Sequence, residues 1–251
     1  MMGELTITRN LTAAGCNAQM ELPLQSLVRD IIDAATGHAN QLGFGYARLI
    51  EDGNAWVLSR LSLQMTRFPQ VGECYSLTTW IESFNRHFSE RNFEIKTGGG
   101  EILGYARTVW VAINIATRRP ADLTALTGLR DSVSDRPCPI PAQGKTRVPE
   151  TFDSQVSYIV VVSDIDSNRH LTTARYVELV VNTLPLGVYD RCSVSAFEIS
   201  FMRECKFGET LTVSSVRDGS TVIAVISDTE GNACCIAKLV LAERIAGENA
   251  K

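Results

Sequence analysis

Asp166, Asn168 and His170 stand at alternate positions in the run Ser163-Asp164-Ile165-Asp166-Ser167-Asn168-Arg169-His170-Leu171. They bring together a carboxylate, an amide and an imidazole. A carboxylate and an imidazole orient or deprotonate a water. An amide and spare backbone N–H groups hold the oxyanion that forms when that water adds to a carbonyl. The set suits hydrolysis of a carbonyl compound. Alone, the string is unspecific, because Asp and Asn are ordinary helix N-caps.

The flanking pattern places the trio. Residues 158–162 are an apolar run that reads as a strand, while Leu171, Ala174, Val177, Val181 and Leu184 recur at helical spacing over 171–184. The trio therefore falls on a strand-to-helix turn, at the helix end that carries partial positive charge and unpaired N–H donors.

This turn and helix resemble the D-x-N-x-H-[VL]-x-x-x-[KR]-Y signature of acyl-[acyl carrier protein] thioesterases, the enzymes that end fatty-acid synthesis. Two further strings of that family occur in its order and spacing. One is Phe201-Met202-Arg203-Glu204-Cys205; the other is Trp56-Val57-Leu58-Ser59-Arg60, followed by Arg67-Phe68-Pro69-Gln70-Val71-Gly72-Glu73. The resemblance implies an α+β double hot-dog fold and hydrolysis of fatty acyl-[acyl carrier protein] to free fatty acid. It also carries over Asp166, Asn168 and His170 as catalytic positions, with Glu204 and Cys205 as the remaining candidates. Thr172-Thr173 departs from the paired asparagines that many members carry there.

Two routes follow. In direct hydrolysis, His170 with Glu204 activates a water, Asp166 orients it or the thioester, and Asn168 helps hold both. In a covalent route, Cys205 attacks, His170 is its base and Asn168 orients the imidazole. If a strand runs over 194–205, neighbours alternate between faces. Cys205 then sides with Phe197, Ile199 and Phe201, and Glu204 with Glu198 and Ser200, which favours Glu204 unless a bulge intervenes. Trp56, Arg60 and Leu63 are the substrate-binding candidates, and Leu58, Leu61, Met65 and Trp80 further candidates for an acyl tunnel.

Composition narrows the class. The 251 residues are 45% hydrophobic, enough for one large domain or two small ones. No apolar stretch is long enough to span a bilayer. The start, Met1-Met2-Gly3-Glu4, lacks the basic flank and apolar core of a secretory signal, so a soluble cytoplasmic protein is expected. Seven cysteines without a C-x-x-C pair, and three histidines, point away from a disulfide framework or metal site. No phosphate loop or dinucleotide fingerprint occurs, and no cofactor is expected. A net charge of −4 argues against nucleic acid. The stretch 118–147 is locally basic, with Arg118, Arg119, Arg130, Arg136, Lys145 and Arg147 against three aspartates. It reads as a solvated connection in which some arginines could dock an acidic carrier protein.

The architecture repeats. Residues 4–9 read as a strand, Pro23 opens a helix ending near Leu42-Gly43, and strands follow at 55–68, 73–84, 87–97 and 101–114, the last pair joined through Gly98-Gly99-Gly100. His38 reads as a capping or packing residue. Residues 118–150 hold five of the eight prolines and no apolar periodicity beyond a short helix near 123–129. A strand at 156–162, the helix at 171–184 closed by Pro185-Leu186-Gly187, and strands at 194–205, 209–216, 221–227 and 233–242 complete the second copy. The expected domains are thus 1–117, with the acyl pocket and a degenerate site, a linker over 118–150, and 151–251 with the catalytic groups. Asn17, Gln19, Glu21 and Leu22 fall opposite Asp166, Asn168, His170 and Leu171, so only the second copy holds the trio.

The expected partner is acyl carrier protein bearing a fatty acyl-phosphopantetheine, with the chain a monomer or homodimer. An acyl-CoA thioesterase and a non-catalytic acyl-binding protein are the alternatives. Enoyl-thioester hydration on the same fold is disfavoured by the close Asp-to-His spacing.

Overall fold

A computed structural model describes residues 3–125 and 127–244. Residues 1–2 and 245–251, the outer ends of the two expected domains, and Leu126 in the expected short helix lie outside the described residues. Among the described residues no helix is long and apolar enough to cross a membrane.

Ten strands form one antiparallel sheet: β1 (Glu4–Asn10), β2 (Asn54–Met65), β3 (Cys74–Phe84), β4 (Phe88–Thr97), β5 (Ile102–Asn114), β6 (Ser154–Ile159), β7 (Cys192–Phe201), β8 (Thr210–Asp218), β9 (Thr221–Ser227) and β10 (Ala233–Glu243). Their order is β1-β3-β4-β5-β2-β7-β10-β9-β8-β6. The same five-strand order occurs once from each end, and the halves join where β2 pairs with β7, Leu63 opposite Phe197.

Helix α1 (Leu24–Gln41) runs against the first half. It follows Pro23, whose missing N–H costs nothing at a helix start. Leu27, Val28, Ile31, Ala34 and Ala35 recur at helical spacing and are buried. A short helix α2 (Tyr46–Glu51) follows. In the second half α3 covers only Thr173–Val181, shorter than the apolar spacing predicts, and Pro185 does not end it. Asn182 ends α3, and Pro185 is instead the N-cap of α4 (Leu186–Arg191). Proline's fixed φ suits a helix start as well as a boundary, so the two roles look alike in sequence.

Three expectations change once strands pair. First, β7 stops at Phe201, four residues short of Cys205, because the N–H groups of Met202 and Arg203 both turn to the Cys234 carbonyl, at 2.9 and 3.2 Å. Alternation therefore cannot decide between Glu204 and Cys205. Second, part of the stretch 118–150, expected to be a solvated connection, is tied to the sheet. It straps the outer sheet face: Trp80 Nε1 donates to the Arg136 carbonyl at 2.7 Å, the Arg136 guanidinium lies 4.1 Å over the Trp80 ring, and Arg107 donates to the Ile140 carbonyl at 3.2 Å. The expected short helix there is a pair of 3-10 turns, Leu123–Ala125 and Thr127–Ser132. Third, Trp80 is buried under this strap, on the face opposite α1, and lines no acyl tunnel. Arg60 also lies opposite the core face that Leu61 and Leu63 share, and is exposed. A bulge between Leu58 and Arg60 sets that phase.

Candidate active site

One loop is built twice. In the second half Asp166 Oδ1 accepts the backbone N–H groups of Asn168 (2.8 Å) and His170 (3.0 Å), and the Asp166 N–H donates to the His170 carbonyl at 2.8 Å. Arg169 takes a left-handed φ of 66° to close the turn. In the first half Asn17 Oδ1 accepts from Gln19 and Glu21, both at 3.0 Å, Asn17 donates to the Glu21 carbonyl at 2.8 Å, and Met20 has φ 62°. The loop thus needs an acceptor oxygen at its first position but not a charge. Asp166 holds the loop rather than capping α3. That cap is Thr172, whose side chain accepts the Arg175 N–H at 3.2 Å.

A second strand of chain meets each loop. Leu171 donates to the Cys205 carbonyl at 2.8 Å, as Leu22 does to the Pro69 carbonyl at 2.9 Å. Both arms then turn at a glycine in the left-handed region, Gly208 at φ 80° and Gly72 at φ 82°, where a side chain would be strained. This register sets Glu204 beside His170, and His170 Nε2 lies 3.3 Å from Glu204 Oε2. The Glu204 carboxylate also pairs with Arg118, a residue of the strap whose contact with this site the sequence does not reveal. No local signal marks it, since the partners are 86 positions apart. In the first half the same register places Phe68 where Glu204 stands and Glu21 where His170 stands. Glu21 is held by both terminal nitrogens of Arg244, each at 2.7 Å, and by Gln70 at 3.2 Å. Glu21→Gln should lower stability by about 2 kcal/mol, because it removes a hydrogen-bonded charge from a buried pair. Turnover should stay at the parental level; thermal melting beside a thiol-release assay checks both.

The site opens on a cavity of about 620 Å³ walled by Asp166, Asn168, His170, Glu204, Trp56 and Leu58, among others. His170 and Glu204 side chains are 23% and 29% exposed, enough for a water to reach them. A second cavity of about 220 Å³ shares Ile32, Trp56, Trp110 and Asn168 with the first and is bounded by α1 and the inner sheet face. Leu63 is packed within the core itself and walls neither cavity, nor does Arg60.

Cys205 has no exposed surface and is absent from the cavity wall. Its thiol sits beside Cys234 and Tyr176, and the neighbouring Cys234 side chain holds it below the ordinary thiol range. Cys205 beside it and burial push Cys234 up. A lowered thiol without access cannot reach a thioester carbonyl. Cys205→Ala should keep turnover within about threefold and cost about 1 kcal/mol of stability. Steady-state kinetics that instead fell by orders of magnitude in a folded variant would restore the covalent route. Among the described residues no group of three or more His, Cys, Asp or Glu is gathered as metal ligands would be.

Known proteins resemble this chain in sequence and in fold. The acyl-ACP thioesterase N-terminal domain matches residues 10–125 and the C-terminal domain residues 149–244. A palmitoyl-acyl carrier protein thioesterase of Gossypium hirsutum is 24% identical over 83% of this chain and 54% of its own length. An oleoyl-acyl carrier protein thioesterase of Arabidopsis thaliana is also 24% identical, over 83% of this chain and 63% of its own. The chain thus spans roughly half to two-thirds of these relatives. A solved acyl-ACP thioesterase from Bacteroides thetaiotaomicron superimposes with a TM-score of 0.89 at 29% identity, covering 96% of this chain and 98% of its own. The 12:0-ACP thioesterase from Umbellularia californica gives 0.87 at 20% identity with 96% and 98% covered, a likeness of fold. With its repeated hot-dog architecture and matches to both domains, this chain belongs to the acyl-ACP thioesterase family.

Proposed function

We propose that this chain hydrolyses the thioester of a fatty acyl-[acyl carrier protein], releasing free fatty acid and the carrier's thiol. The observation that supports it most is the His170–Glu204 pair, 3.3 Å apart, in a cavity that adjoins a second one running between α1 and the sheet. Arg118 sets a positive charge against Glu204, and the imidazole takes a proton from a water that lies beside the pair and bonds to it. The resulting hydroxide adds to the thioester carbon. Thr173, at the positive end of α3, lies in the same wall, which supports the first-turn N–H groups as donors to the oxyanion. Collapse breaks the C–S bond, and the departing sulfur recovers the proton from the imidazolium.

In this scheme Asn168, shared by both cavities, positions the thioester, and Asp166 both holds the loop and, from the cavity wall, orients the thioester or its attacking water through its charge. Residues up to 117 form the half that takes the acyl chain, 118–150 connect it, and the half from 151 supplies the reacting groups. One site per chain follows, because the first-half loop offers Glu21 and Phe68 instead. A single chain supplies both cavity walls, so a monomer suffices. Seven free thiols fit a reducing compartment, the cytoplasm.

Thiol release from acyl carrier protein and coenzyme A thioesters, with mass spectrometry of products, tests this. Free acid and thiol from the carrier-bound substrate are expected. Preference for coenzyme A would change the carrier assigned, a hydrated thioester would make the chain a hydratase, and binding without turnover would remove the enzyme reading.

A further inference from the structure

The second cavity has a closed far end. It joins the reaction cavity at Ile32 and Asn168, and its wall follows α1 to Ala39. From Ile32 to Ala39 the helical rise gives about 10 Å. Phe44 and Ile81 also wall the cavity, and with Ala39 they belong to a separate packed cluster that fills the space beyond. Arg91 stands at the same end. It lies opposite Ile81 in the β3–β4 register and alternates along β4 with Phe93 and Ile95 of the core, so it faces inward. Its Nη1 donates to His38 Nδ1 at 2.6 Å and to Thr79 Oγ1 at 3.3 Å. His38 adjoins Ala39 in α1, which puts the guanidinium at the end remote from Asn168.

These bonds are to protein acceptors, so Arg91 asks nothing of a ligand to hold its place. It is also costly to move. Only 4% of the residue is exposed, and burial lowers the guanidinium to about 10, which leaves it charged at neutral pH. A tail driven past it would have to break the bonds of a buried cation or dislodge the packed cluster, and a methyl end offers no acceptor in exchange. Space then sets the length. At about 30 Å³ for a group the size of a water or a methylene, a cavity of about 220 Å³ takes about seven of them. The carbonyl carbon and its neighbour stay in the reaction cavity beside Asn168. We propose, resting on the reading that this cavity takes the acyl chain, that the preferred substrate carries a medium-length chain of about eight to ten carbons, stopped by Arg91.

The test is hydrolysis by the full chain of a graded series of carrier-bound saturated acyl thioesters, from butyryl to stearoyl. Expected is a kcat/KM that rises roughly fourfold per methylene, the worth of one buried CH₂, to a maximum at about eight to ten carbons and then falls. Arg91→Met replaces a fixed cation by a flexible apolar chain and should move the maximum roughly two carbons longer, chiefly through KM. Arg91→Gln, shorter but still a donor to His38 and Thr79, carries the same expectation where Arg91→Met does not fold. A maximum at myristoyl or longer in the parental protein overturns the proposal, whether or not any variant folds. An unchanged maximum in a folded Arg91 variant overturns it too. If no thioester is cleaved, the hydrolase reading fails separately, and calorimetric binding of the free acids of the same series decides. Tightest binding near decanoic acid then supports the stop at Arg91, and affinity still rising at palmitic acid overturns it.

Discussion

His170→Ala lowers kcat/KM for the carrier-bound thioester by about 10²–10⁴-fold, the range that a positioned acid–base group contributes. Glu204→Gln falls in the same range. The two side chains lie 3.3 Å apart and share one wall of the cavity, so they act as a unit. The double variant is accordingly little worse than the poorer single, far from the product of the two losses. Stability should barely move, because both groups are partly exposed and the loop is held by backbone bonds and Asp166, not by His170's ring. Single-turnover thiol release with thermal melting of each variant checks this. Independent, multiplying losses, or a folded His170→Ala enzyme with near-parental rate, would remove the pair from the chemistry.

Asp166 separates structure from charge. Asp166→Asn keeps the Oδ1 acceptor, and Asn17 shows that an amide holds the same loop at matching distances. The variant should therefore melt with the parental protein. A drop in turnover, expected at about 10²-fold, then reports the lost negative charge beside the thioester rather than a lost loop. Asp166→Ala also strips the acceptor from two N–H groups and costs about 1–3 kcal/mol more. If Asp166→Asn retains full activity, Asp166 is a loop residue only and the reacting set contracts to His170 and Glu204. Melting curves and kcat, measured on the two variants side by side, separate these outcomes.

The first-half counterpart also explains why the trio at 166–170 could be read in the sequence at all. A D-x-N-x-H turn ahead of an apolar-faced helix is local, and its hydrogen bonds run within five residues, although the strand expected over 158–162 ends at Ile159 and gives way to a 3-10 turn at Val162–Asp164. The same holds for α1, whose buried Leu27, Val28, Ile31 and Ala35 are spaced as the sequence spaces them. The pairing partners of β3, β4 and β5 follow too, since Gly98-Gly99-Gly100 leaves little choice but a hairpin, with Gly100 at φ 90°. Order of elements, duplication and the chemical trio are thus properties of short stretches.

What pairs across the fold is different. Strand alternation predicted one face for Glu204, yet β7 ends at Phe201, and Glu204 meets His170 because Leu171 bonds the Cys205 carbonyl. Arg118 reaches Glu204 only because the strap leaves β5 beside the site, and Trp80, an apolar residue amid core strands, serves the outer face because that strap covers it. Arg60 was lost to the cavity by a single bulge. Arg91 carries the largest departure: its type predicts a surface residue, and only the closure of α1 over the sheet buries it against His38 and Thr79. By itself the sequence determined the periodicities and the local turns, because those are set by neighbours in the chain. The tertiary structure alone decided register, bulge phase and which charges are buried together, because each depends on groups tens of residues apart arriving at one place.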